Sequence, residues 1–121
     1  MKKGQEGVLA RSRPAASVLD YDRETLVAAL RERLASHPEV VNAYLFGSVA
    51  SGKAGAWSDL DVIIVAETAT PFVERPRAFW ELLDLGLAVD ILVYTPVEFA
   101  EMRASTSGFW KEFAKHHIKL I

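Results

Sequence analysis

Apolar residues recur at two different periods along this chain, and the alternation of the two predicts a mixed α/β architecture. Leu26, Leu30 and Leu34 follow one another at intervals of four, a spacing that places side chains on one face of a helix. Three shorter stretches are rich in β-branched and apolar residues and are predicted to be strands: residues 40–46, 59–65 and 87–94. The chain is therefore expected to be an α/β protein with a small central mixed sheet flanked by helices.

Two further helices are predicted from the apolar positions and prolines downstream. One covers residues 71–85, where Pro76 must interrupt the interior or mark the true start. The other covers residues 97–105 and is preceded by Pro96, a residue that suits a first helical turn. The segment after Gly108 is interpreted as a helix, with a closing strand left open.

Composition narrows the class of protein. The chain has 121 residues, which suits one compact domain. Residues 1–17 mix glycine, serine and scattered charge and are interpreted as a flexible leader, so that residues 18–121 form the domain. The formal net charge of -2 gives no general basic field, and direct nucleic-acid binding is not expected. The chain has no cysteine, and no apolar run approaches the roughly 18 residues that span a membrane, so a cytoplasmic protein without membrane association is expected.

The stretch from residue 46 to residue 61 allows two interpretations. Gly47 to Lys53 fits G-x-x-x-x-G-K after a predicted strand, as in a phosphate-binding P-loop. A P-loop needs Ser or Thr directly after the lysine to bind Mg²⁺, and this chain has Ala54 there. It also needs a long helix at that point, whereas residues 54–58 lead almost at once into the next strand. The glycine is better explained together with the aspartates that follow.

Asp59, Asp61 and Asp90 are the residues that suggest chemistry. Positions two apart in a strand share a face, so Asp59 and Asp61 are expected to project side by side. Asp90 lies inside the apolar stretch 87–94, where a charge is costly unless it is paired or metal-bound. If the two strands are neighbours, three carboxylates converge and could hold two Mg²⁺ ions, with Mn²⁺ as the alternative metal. The structural alternatives are a cap or turn role for Asp59 and pairing of the other two with buried arginines.

Together these residues resemble the motif of the minimal nucleotidyltransferase family, within the DNA polymerase β superfamily. The chain has Gly47-Ser48, then ten residues, then Asp59-Leu60-Asp61, with Asp90 on a later strand. The resemblance extends from about residue 26 to the C-terminus. It implies a polymerase β-like nucleotidyltransferase fold and transfer of a nucleoside monophosphate to a hydroxyl group, with ATP as the expected donor.

The resemblance also implies a role for each residue of the motif. Gly47 would let the backbone approach a triphosphate closely, and Ser48 would donate its hydroxyl and N–H to the phosphates. Asp59 and Asp61 would bind the metal that carries the nucleotide, and Asp90 would complete the second metal site and help to deprotonate the acceptor. The chain departs from the family at Ser51, where many relatives have an arginine.

The size of the chain bears on the acceptor, because relatives that modify nucleic acids or antibiotics use additional domains. Minimal members of the family accompany small helical HEPN proteins in toxin–antitoxin systems. The resemblance therefore implies a HEPN-type toxin as the partner and a tyrosine of that toxin as the acceptor of AMP, with this chain as the antitoxin. Two alternatives remain at this stage: an antitoxin that acts by contact alone, and transfer to a small-molecule hydroxyl such as that of an aminoglycoside. Homo-oligomerisation is also left open.

Overall fold

The computed structural model describes residues 16–121, which form one mixed sheet with helices on both faces. Two 3-10 segments occur, at Val18–Asp20 and Phe72–Leu85. In chain order the helices and strands are α1 (Arg23–Leu34), β1 (Val40–Phe46), α2 (Gly47–Ser51), β2 (Leu60–Ala66), β3 (Val89–Tyr94), α3 (Pro96–Arg103), α4 (Gly108–Lys115) and β4 (His117–Lys119).

The strands lie in the order β3-β2-β1-β4. β1 is antiparallel to both of its neighbours, β2 and β4, whereas β2 and β3 are parallel. The predicted α/β fold with a mixed central sheet is confirmed, and the strand left open at the C-terminus is β4. The parallel pair requires a crossover connection, which the segment Phe72–Leu85 supplies.

Helix boundaries follow from local capping chemistry. The Asp22 side chain accepts a hydrogen bond from the Thr25 N–H and begins α1, which ends at Leu34, ahead of Pro38. Thr95 and Glu98 form a reciprocal capping box at the start of α3, and Pro96 occupies the first turn as predicted.

The segment Phe72–Leu85 differs from the predicted α-helix. It is 3-10 in character, contains Pro76, and is kinked at Phe79, whose φ of -122° and ψ of 27° are not helical. Proline lacks the N–H that the interior of an α-helix needs, so Pro76 disfavours a continuous α-helix. The segment instead has the tighter repeat of three residues per turn that defines a 3-10 helix. Phe79 and Leu82 are consequently buried, while Phe72 and Leu83 are exposed.

The core consists of two apolar clusters, one on each face of the sheet. Leu60, Val62 and Ile64 of β2 belong to the cluster beneath α1, which includes the three leucines of that helix. Ile63 and Val65 belong to the second cluster, an aromatic one that contains Phe99 of α3 and Trp110 and Phe113 of α4. Because strand side chains alternate, Asp61 lies on the aromatic face, and a site built on Asp61 faces α3 and α4.

The predicted flexible leader, residues 1–17, falls mostly on residues 1–15, which lie outside the described part of the chain. Ser17 is buried, and its hydroxyl donates to the carbonyl of Ala56 at 3.1 Å, which connects the start of the described chain to the loop before β2. Within residues 16–121, none of the helices has the length and apolar character needed to cross a membrane.

Candidate active site

A row of register partners crosses the sheet at the end that carries the aspartates. His117 of β4 lies opposite Phe46 of β1, Phe46 lies opposite Asp61 of β2, and Asp61 lies beside Asp90 of β3. Register partners share a face, and neighbouring strands are about 4.8 Å apart. The prediction that the Asp61 and Asp90 strands are neighbours is confirmed, and their carboxylates project from adjacent positions on one face.

Gly47 brings the backbone directly against Asp61. Its φ of 76° lies in the left-handed region, which side chains other than glycine rarely adopt. A Cβ at this position would overlap the Oδ2 atom of Asp61 and would lie 3.0 Å from its Cγ. Only glycine at position 47 therefore allows the turn to pack this closely against the Asp61 carboxylate.

Ser48 follows in the first turn of α2, a helix of five residues. Its carbonyl accepts hydrogen bonds from the Lys53 N–H at 2.8 Å and from the Ser51 hydroxyl at 3.2 Å, which hold the loop closed. The N–H groups of a first helical turn have no partner within the helix, so the turn at Gly47-Ser48 presents backbone donors beside the aspartates. Ser51, which replaces the family's arginine, is used for this local bond.

The aspartates interact electrostatically. Burial, the nearby charge of Asp90 and the charge of Asp59, in decreasing order of effect, together raise the pKa of Asp61 to about 6. Asp59 immediately precedes β2 and is exposed. Asp61 is therefore the centre of a group of like charges, and both of the other aspartates act on it.

Asp90 corrects one premise of the sequence analysis. It is exposed, because it is the second residue of β3 at the open end of the sheet, so the expected cost of a buried charge does not apply to it. Among residues 16–121, no lysine, arginine or histidine lies within ion-pair distance of Asp61 or Asp90. Pairing with a buried arginine, the structural alternative, is not found.

The fit of a divalent cation can be tested against this arrangement. In the described part of the chain, no three acidic or histidine side chains are already gathered tightly enough to enclose a metal ion. The donor set is nevertheless suited to Mg²⁺, because it consists of hard carboxylate oxygens, and the half-buried Asp61 is repelled by its neighbours. A cation would relieve the repulsion that raises the pKa of Asp61, so these residues fit the ion.

Sequence reasoning missed the contribution of α4. Three side chains of α4 lie on the helix face that points toward β1, and the residue that caps the C-terminus of the helix joins them: Phe109, Glu112, Phe113 and His116. The spacing is that of one helical stripe and could have been recognised, but the sequence does not show that the stripe faces Gly47. His117 belongs to β4 rather than to a terminal helix, and it packs against Phe113.

Comparison with known proteins gives the class of this protein. Residues 27–120 match the family described as nucleotidyltransferase domain. This match covers most of the chain and contains the Gly-Ser turn and all three aspartates, so the chain belongs to the nucleotidyltransferase domain family. No curated protein matches the chain.

Solved structures share the fold. A candidate nucleotidyltransferase from Sulfolobus solfataricus is 21% identical with a TM-score of 0.53, over 66% of this chain and 76% of that one. A chain of a toxin–antitoxin complex with AMP-PNP is 20% identical with a TM-score of 0.53, over 84% and 73%. A complex of a tri-AMPylated Shewanella oneidensis HEPN toxin with an MNT antitoxin matches at 17% identity and a TM-score of 0.53, over 82% and 71%. At these identities the likeness establishes a polymerase β-like nucleotidyltransferase fold.

Proposed function

We propose that this protein is a metal-dependent nucleotidyltransferase that transfers AMP from ATP to a tyrosine hydroxyl of a small helical HEPN-type partner, and that it acts as the antitoxin of that partner. The observation that carries the proposal is the placement of Asp61 beside Asp90 and against Gly47. It puts adjacent carboxylates next to the glycine turn that begins α2. Membership in the nucleotidyltransferase domain family supports the reaction class.

Each residue of the site has a separate role in the proposed nucleotidyl transfer, which is a substitution at the α-phosphorus. The N–H groups at Gly47-Ser48 hold the terminal phosphates, and Asp59 and Asp61 would hold the cation that accompanies the nucleotide. Asp90 accepts the proton of the acceptor hydroxyl. The hydroxyl oxygen then forms a bond to the α-phosphorus, the bond from that phosphorus to the bridging oxygen breaks, and pyrophosphate leaves with the electron pair. When bound, Mg²⁺ supplies charge neutralisation and lowers the pKa of the attacking hydroxyl.

The choice of partner rests on the structural relatives. Several of the matching structures are toxin–antitoxin complexes, of which one contains AMP-PNP and another an AMPylated HEPN toxin. Aligned positions cover more than four fifths of this chain in these last two complexes. A protein acceptor also suits a domain whose described residues place the aspartates at an open end of the sheet, where a partner surface can reach them.

The proposal is tested by mass spectrometry of the acceptor. The purified chain is incubated with ATP, Mg²⁺ and the helical protein encoded next to it, and the intact masses of both proteins are measured. We expect AMP-sized additions on the partner, located on tyrosine by fragmentation. The double variant Asp59→Asn/Asp61→Asn should lose transfer by several orders of magnitude, because both ligands of the nucleotide-carrying cation are removed.

Asp84→Asn is the matched control, since Asp84 is an exposed aspartate in the segment Phe72–Leu85 and is expected to leave transfer unchanged. A second readout follows the neutralisation of the partner's toxicity in cells. If the double variant neutralises the partner as well as the original chain does, neutralisation occurs by contact and the enzymatic proposal is wrong. An unmodified partner with a modified small-molecule acceptor would contradict the proposed substrate.

A further inference from the structure

A small apolar cavity opens beside the Gly47 turn, on the side away from Asp90. Its volume is about 250 Å³, and six residues line it: Phe46, Gly47, Phe109, Glu112, Phe113 and His116. Pockets that hold a whole drug-sized ligand usually have about 300–1,000 Å³. The cavity is therefore sized for one ring system of a larger molecule rather than for an entire nucleotide.

Aromatic rings form the walls of the cavity. The ring of Phe46 meets Phe109 edge-to-face at 5.5 Å between centroids and meets Phe113 at 6.0 Å. Phe113 is buried, but Phe109 is 45% exposed, so a large apolar ring is left accessible at the mouth. An accessible phenylalanine over an apolar floor is a surface on which a flat aromatic ligand can stack.

The cavity lies apart from the side on which the proposed acceptor hydroxyl approaches. In the proposed reaction pyrophosphate lies on Gly47-Ser48, and the acceptor approaches the α-phosphorus from the opposite side, where Asp90 lies. Phe46 and Asp90 are two strands apart, about 9.6 Å, on either side of Asp61. The cavity borders Gly47, the residue proposed to contact the nucleotide, and this adjacency favours the nucleobase as its occupant.

Two polar residues at the rim of the cavity can form hydrogen bonds with a bound ligand. Glu112 and His116 lie one helical turn apart, with the His116 Nε2 atom 3.7 Å from the Glu112 Oε2 atom, and both are exposed. A carboxylate only accepts hydrogen bonds when ionised, so it pairs with an amino group on a base edge and not with a carbonyl. Adenine has an exocyclic amino group, whereas hypoxanthine has a carbonyl in the same place.

We infer that this cavity binds the nucleobase of the donor nucleotide, with Phe109 as the stacking surface and Glu112 as the residue that favours an amino-bearing base over a keto base. The inference rests on the proposed function and goes further, because it assigns the choice of nucleotide to α4. None of the residues in the Gly-Ser and aspartate motif distinguishes one base from another.

Calorimetric titration with Mg²⁺ and three ligands tests the inference: ATP, ITP and inorganic tripolyphosphate. The original chain should bind ATP more tightly than ITP. Phe109→Ala should weaken the binding of ATP about 5- to 100-fold, which is the range for loss of one base-stacking contact. The same variant should leave the affinity for tripolyphosphate unchanged. Glu112→Gln should reduce the ratio of ATP to ITP affinity, because the amide can also donate to a carbonyl. Trp80→Ala removes another exposed aromatic side chain, one that lies outside the cavity, and serves as the control.

Each result separates the two hypotheses. If ATP and tripolyphosphate both bind and Phe109→Ala does not weaken ATP, the inference is wrong and the proposed function stands. If ATP binds no better than tripolyphosphate to the original chain, the base makes no contact and the inference is again wrong. If neither ligand binds, the proposed function fails and the inference fails with it. Because Phe109 and Glu112 are exposed, both variants are expected to fold, which their thermal melting curves will verify.

Discussion

Asp61 and Asp90 are direct neighbours in the parallel register of β2 and β3, and no basic side chain within residues 16–121 forms an ion pair with either. A fold does not bring two carboxylates together without a penalty, because like charges disfavour each other's ionised form. Burial of Asp61, followed by the charges of Asp90 and Asp59, raises the pKa of this carboxyl. Part of the stability of the metal-free protein is therefore lost at the candidate active site.

Replacing the central carboxylate should stabilise the metal-free protein. The pKa of Asp61 is about 6 in the folded chain, above the ordinary aspartate pKa of 3.8. Between these values the folded chain holds more protons than the unfolded chain, so its stability falls as pH rises toward 6. Asp61→Asn removes that fall and should add roughly 1 kcal/mol at neutral pH, after allowance for solvent screening. Thermal melting from about pH 4 to pH 8 measures the effect, with Asp84→Asn as the control. An unchanged pH slope in Asp61→Asn would refute this explanation.

Binding of MgATP should stabilise the original chain. A ligand that binds only the folded state stabilises it by about 2.7 kcal/mol at a concentration of one hundred times its dissociation constant. The melting temperature of the original chain should therefore rise with MgATP, while Asp59→Asn/Asp61→Asn should show little rise. Scanning fluorimetry at several MgATP concentrations measures this without any acceptor. A rise of equal size in the double variant would mean that these aspartates do not hold the nucleotide.

Alanine variants of three glycines should distinguish the cost of backbone strain from the cost of steric overlap. Gly47→Ala places a Cβ against the Asp61 carboxylate and keeps a φ of 76°, so it should lose more stability than the roughly 1–2 kcal/mol of the left-handed conformation alone, and should abolish transfer. Gly52→Ala has the same backbone strain, with a φ of 80°, but no atom within 4 Å of the added Cβ. Gly55→Ala has neither and should be neutral. Urea unfolding of the three variants should rank them in that order, and an equal cost at Gly47 and Gly52 would show that the overlap is absent.

His37 should also make the stability of the protein depend on pH, but at a higher pH than Asp61 does. Burial lowers the pKa of His37, but hydrogen bonds to Glu81 at 2.7 Å and to Glu39 at 3.2 Å outweigh it and raise the pKa overall. A raised histidine pKa stabilises the folded chain below about pH 6.5, and the contribution is lost as pH rises through the folded pKa. Glu81→Gln should therefore destabilise the protein by up to about 1 kcal/mol at pH 5.5 and much less at pH 8.5. Chemical denaturation at both pH values tests this, and an equal loss at both would contradict a charged His37.

Much of this protein follows from local sequence. The spacing of Leu26, Leu30 and Leu34 and the apolar runs determined the helix and strands, because periodicity selects which side chains can share a face. The spacing from Gly47-Ser48 to Asp59 and Asp61 also identified the residues of the candidate site, since both strand ends lie within one short connection. By contrast, the 3-10 form of Phe72–Leu85 depends on how a proline-containing crossover packs against the sheet.

Tertiary structure alone settled the relationships between distant segments. The parallel register that puts Asp90 beside Asp61 arises from pairing of strands that are separated by a crossover, and no local pattern specifies it. The same holds for α4, whose stripe of Phe109, Glu112 and Phe113 faces the Gly47 turn only because β4 returns to pair with β1. Sequence determines which side chains are available within each element, and long-range packing determines which of them meet.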